Sequence, residues 1–187
     1  MTTPTHDDDL PILTRRRIEA AILAPVYRIL VRDLGEERAK EILSEAIRED
    51  ARAQGARLAQ REPGGSNLRT FIDLQHLWLA DDAQEIETIE ATDEVYSYDV
   101  HRCRYAETYQ EMGLGDIGEL LSCTRDFEFP HGYDPSITLE RTQTIMSGAS
   151  HCDFRYRRPA GAPNAHAVSG AHDSAEVAHV AAEERDR

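Results

Sequence analysis

Val95-Tyr96-Ser97-Tyr98-Asp99-Val100 alternates branched or aromatic residues with short polar ones, the period of a strand that buries one face. Just before it, Ile86 and Ile89 belong to a second strand-like segment, and Thr92, Asp93 and Glu94 supply turn chemistry between the two. The reading is a β-hairpin. Upstream of it the first 80 residues read as three helices, and the period drops towards two only after Asp81.

Working outward to the N-terminus, Ile18, Ala21, Ile22, Val26, Ile29 and Leu30 recur at helical steps, with Pro25 as a kink point. They predict an amphipathic helix whose apolar stripe faces the core. Arg15, Arg16 and Arg17 stand in its first turn, the wrong end for the helix dipole; they are a solvated face or a place where something acidic docks. After Gly35, a second helix runs through Ala39, Ile42, Leu43, Ala46 and Ile47 towards Leu58, and Pro63, Gly64 and Gly65 end it. Ser66 or Asn67 caps a third, with Leu68, Phe71, Ile72, Leu74, Leu77 and Trp78 as its apolar stripe.

Towards the C-terminus, short helices are predicted around Tyr105 to Met112, closed by Gly113, and around Asp116 to Cys123. Two further strands follow, Ile137 to Met146 and Cys152 to Arg158, separated by a turn at Ser147 to Ser150. The fold class is therefore α+β: N-terminal helices packed on a small, mainly antiparallel sheet, with short helices between strands. Residues 1–12 are expected to form a disordered arm, 13–158 a single domain, and 159–187 a disordered tail poor in branched apolar residues. His166, His172 and His179 in that tail make at most an adventitious metal tract.

With 35 acidic against 21 basic residues, the net charge of -14 opposes phosphate backbones and anionic lipid, so the expected partner is a small molecule rather than nucleic acid or membrane. A homo-oligomer is compatible with the composition. No apolar run is long enough to cross a bilayer, and Met1 to Asp9 is acidic where a signal peptide is basic. Three cysteines, an odd number, fit free thiols in a reducing compartment, which predicts a cytoplasmic protein.

The chemistry concentrates between Cys103 and Phe154. Cys123 and Asp126, three residues apart, share a face if they lie on a helix, so thiol and acid reach one bound molecule; the alternative is helix-end packing. Asp153 neighbours Cys152, but on a strand the two side chains point to opposite faces, and Cys152 is the better candidate for the interior. Arg141 lies on the inward parity of Ile137, Leu139, Arg141, Gln143 and Ile145, where it needs an anion: a substrate carboxylate, or Asp126 or Glu107.

Four words in this segment, Cys-x-Tyr-Ala-Glu at Cys103 to Glu107, Cys-x-x-Asp at Cys123 to Asp126, Arg-Thr-x-Thr at Arg141 to Thr144, and Gly-x-x-x-Cys-Asp-Phe from Gly148 to Phe154, resemble the L-2-amino-thiazoline-4-carboxylic acid hydrolase family. The resemblance implies hydrolytic opening of a small C–N-containing ring. Cys123 or Cys152 would attack the carbon between two heteroatoms, Asp126 would move protons, and Arg141 would anchor a substrate carboxylate. Thr142 and Thr144 would donate hydrogen bonds, with Cys103, Tyr105 and Asp153 completing the substrate site, and no cofactor is needed. Two other readings stand beside this one. Zn or Fe held by the cysteines with His101, His151 or Asp126 lacks the close Cys-x-x-Cys pair of recognisable zinc sites. A non-catalytic ligand-binding or pathway partner protein would use the same residues without chemistry.

Overall fold

The computed structural model describes residues 10–167; of the arm expected over 1–12 the first nine residues, and of the tail expected over 159–187 residues 168–187 with His172 and His179, lie outside the described residues. Helix α1, Ile12–Leu34, turns at Gly35 into α2, Glu36–Ala59. Gly35 is at φ 84°, a left-handed conformation that a side chain would resist. The predicted third helix is present in two short pieces, α3 (Leu68–Asp73) and α4 (His76–Leu79). A capping box starts α3: Asn67 accepts from the Thr70 amide while Thr70 Oγ1 accepts from the Asn67 amide, each at 3.0 Å.

The hairpin forms as read, with β1 (Gln84–Ala91) antiparallel to β2 (Val95–Cys103). Helix α5 (Arg104–Glu111) follows directly, then a π-helical turn over Glu119–Cys123 and helix α6 (Arg125–Tyr133). Strands β3 (Thr138–Glu140) and β4 (Cys152–Arg157) complete one antiparallel sheet in the order β1-β2-β4-β3. The fold class is the expected α+β one. Two details differ. The strand read over Ile137 to Met146 stops at Glu140, and α6 escaped prediction because Pro130 and Gly132 read as helix breakers.

Opposite pairs Tyr96–Tyr156, Tyr98–Phe154 and Val100–Cys152 put the buried face of the sheet on one side. Tyr98 and Phe154 stack with ring centroids 4.8 Å apart, and Phe71 of α3 closes on Tyr156 at 4.9 Å. Helix α6 reaches this layer through Phe129 and Tyr133, and it packs on α2 with almost no spacing. A Cβ at Gly55 would come 2.2 Å from the Phe129 carbonyl oxygen, and one at Gly132 would come 2.0 Å from that of Arg52. Two glycines therefore let the helix backbones touch.

Helix α1 presents the opposite face to the one its apolar periodicity suggested. Ile12, Arg16, Ala20, Ala24 and Tyr27 are buried, whereas Ile18, Ile22, Val26 and Ile29 are exposed by 42–66%. Small alanines allow close approach to Ala39 and Leu43 of α2, and Arg16 is buried with partners of its own. The tail boundary also shifts. Described structure continues past Arg158 to Ala167, with Arg158 paired to buried Asp134 at 2.8 Å and donating to the carbonyls of Ala162 and Pro163. Ala165 bridges to Ser66. No helix among the described residues is long and apolar enough to cross a membrane.

Candidate active site

Between the sheet and the helices lies a cavity of about 140 Å³. Phe71, Trp78, Phe129, Tyr98, Phe154 and Tyr156 give it aromatic walls, and Cys103, Cys123, Cys152, Asp126, Arg141 and Tyr105 all line it. Residues far apart in sequence thus converge. Each arrives by a local rule: Cys152 opens β4 on the inward parity it shares with Phe154 and Tyr156, and Cys103 ends β2. Cys123 closes the π-helical turn, an irregularity that helices commonly carry at functional positions, and Asp126 sits in the first turn of α6.

Asp126 and Arg141 form the polar centre. An Arg141 nitrogen donates to Asp126 Oδ2 at 2.5 Å and another to the Cys123 carbonyl at 3.2 Å. The guanidinium lies between the Phe127 and Phe154 rings, 4.9 and 5.2 Å from their centroids. Arg141 is 5% exposed and Asp126 27%, and both line the cavity. Burial raises the Asp126 carboxyl above the ordinary carboxylate range, with Arg141 opposing the shift. Glu107, the other anion considered for Arg141, pairs instead with Arg102 at 2.8 Å.

Burial also raises all three thiols, Cys103 to about 11 and Cys123 well above its usual value. Cys103 has backbone hydrogen bonds with Ala106 and Tyr105, and Cys152 Sγ accepts the Ile145 amide at 3.2 Å. That amide and Arg141 both favour the thiolate, against burial, which is the larger influence. Asp126 is close enough to bear electrostatically on every one of the three sulfurs.

Three expected substrate contacts do not line the cavity. Asp153 points to the other face of β4, where it accepts the Thr142 and Gln143 amides at 3.0 and 2.9 Å and the Thr142 hydroxyl at 2.6 Å. Those hydrogen bonds hold the carboxyl below its usual value although partial burial acts the other way. Thr142 is therefore half of a clasp that shapes the loop after β3, while buried Thr144 bonds to Ser147 at 2.5 Å. His101 bonds to Glu87 and His151 to Gln143, and neither histidine lines the cavity. Among the described residues no three His, Cys, Asp or Glu side chains gather in a set that could hold a metal ion.

Sequence reasoning missed most of the lining. Trp78 and Phe129 carry no signal that separates a cavity wall from a core. Arg15, Arg16, Arg57, Arg61 and Arg125 also line the cavity, and of these only the run at Arg15 to Arg17 stood out.

One solved structure similar to the chain is the phenol-responsive sensory domain of the transcription activator PoxR with phenol. The identity is 14%, the likeness covers 74% of this chain and 73% of that one, and the TM-score is 0.47. No curated protein matches. The model of one family matches residues 15–156, which runs from the first turn of α1 to the last but one residue of β4 and includes every cysteine, and on that match the chain belongs to the L-2-amino-thiazoline-4-carboxylic acid hydrolase family.

Proposed function

We propose that this chain is a hydrolase that opens a small, carboxylate-bearing C–N ring, a cyclic amidine, isothiourea or lactam, with Cys152 as nucleophile and Asp126 as proton carrier. The observation that carries the reading is the convergence of three thiols on one cavity with a carboxylate of raised proton affinity. A thiol held neutral by burial needs a base beside it, and a buried carboxylate is a stronger base than a free one.

Asp126 takes the Cys152 proton while sulfur adds to the ring carbon, and the displaced π electrons move to its nitrogen or oxygen. As the tetrahedral adduct collapses, the ring C–N bond breaks and the leaving nitrogen takes the proton from Asp126. Water then adds to the same carbon and gives a proton to Asp126; the C–S bond breaks, and the thiol is restored with that proton. Arg141 keeps the Asp126 carboxylate oriented throughout and offsets its charge. Free thiols suit a reducing, cytoplasmic setting.

Replacing each cysteine with serine in turn and following turnover of a cyclic amidine tests the scheme. Cys152→Ser is expected to abolish turnover, and mass spectrometry of the quenched wild-type reaction to show an adduct on the peptide holding Cys152. Full activity in all three variants would end the covalent mechanism. A second reading has one specific support, the neutral state burial imposes on the resting thiols: a cavity that binds a small ligand without chemistry. Stoichiometric binding with the ligand recovered unchanged would favour it.

A further inference from the structure

Six arginines line the cavity, and their charges are spent unequally. Arg141 is taken by Asp126. Arg16 is bound to Glu19 and to Gln54, the latter at 2.9 Å, and Arg125 to Asp50 at 2.5 Å and Glu19 at 3.2 Å. Arg15 and Arg57 have no ion pair among the described residues, and the Arg15 Nε is buried without a hydrogen-bond partner. A buried guanidinium N–H left unsatisfied is costly enough to call for an explanation, and a ligand anion is the simplest one. In a chain of net charge -14, positive potential gathered at one cavity also draws anions there specifically.

We infer that Arg15, together with Arg57, is the carboxylate-binding subsite of this cavity. The ligand's anionic end then rests at α1 and α2, while its ring lies among the aromatic walls and faces the thiols. Arg141, already committed to Asp126, is not the anchor. This assignment rests on the cavity being the ligand site but not on hydrolysis.

Trp78 is the sole tryptophan of the chain and lines the cavity, so its fluorescence reports occupancy directly. Benzoate and benzamide have nearly the same shape and differ in charge. Titrated into the full chain, benzoate should quench Trp78 saturably and bind at least about tenfold tighter than benzamide, the worth of a charge-assisted hydrogen bond. Arg15→Met should bring benzoate down to the benzamide level with benzamide affinity unchanged. Arg57→Met, at an exposed position, should weaken benzoate selectively as well, and Arg17→Met, exposed and outside the cavity, should change nothing. Equal affinity for both probes, quenching by neither, or a preference that survives Arg15→Met together with Arg57→Met overturns the assignment. Benzoate has no ring C–N bond to open, so loss of the hydrolase reading in a turnover assay leaves this result intact.

Discussion

At the scale of single residues, Asp126 concentrates the consequences. Asp126→Asn removes the proposed proton carrier, and turnover should fall by about 10²–10⁴, the usual worth of general acid–base catalysis. In the proposed mechanism the wild type works through the ionised carboxylate, so kcat/KM should rise with pH through a limb placed above the ordinary carboxylate value, because burial raises this group. Its effect on stability has the opposite sense. A carboxyl whose folded-state affinity for protons exceeds its unfolded one stabilises the fold most at low pH, and that contribution is lost as pH climbs from 3.8 through the folded value. Wild type compared with Asp126→Asn in urea titrations at several pH values would show it. Arg141→Ala leaves a carboxylate without its partner and should cost about 3–5 kcal/mol in the same measurement. The inward parity of Arg141 and of Cys152 was legible from alternation alone. That Asp126 rather than a substrate would answer Arg141 was not, since Cys123 and Asp126 meet Arg141 only through tertiary contact between α6 and the segment after β3.

Among elements, the contact between α2 and α6 is the most exacting. Gly55→Ala or Gly132→Ala would drive a methyl group into a backbone carbonyl, and each should lower the denaturation midpoint by an amount equivalent to about 1–3 kcal/mol or more. Because α6 carries Asp126 and Phe129, a displaced helix should also impair ligand binding more than the loss of stability explains. Sequence reading found α1, α2, the hairpin and β4 because periodicity and turn residues state them locally. It failed at α6, where Pro130 and Gly132 serve a tertiary contact at the expense of local propensity. It also chose the wrong side of α1: the buried side is made of alanines and a paired arginine, which hydropathy does not recognise as a core face.

For the whole molecule, the fold closes on itself through the end of the described chain. The Arg158–Asp134 pair is nearly buried on both sides, at 8% and 2% exposure, and it fastens the segment after β4 to the end of α6. Asp134→Ala should cost about 3–5 kcal/mol and expose the Pro159 to Ala167 segment to limited proteolysis. That segment looked featureless in sequence because its order comes from contacts to Ser66 and Asn67 rather than from any pattern of its own. The outward isoleucines of α1 carry a practical corollary. Ile18→Glu with Ile22→Lys should leave the thermal midpoint nearly unchanged, as exposed sites do, yet raise the ammonium sulfate concentration needed to precipitate the protein. The residues that look most like core on paper are thus those most freely exchanged for solubility.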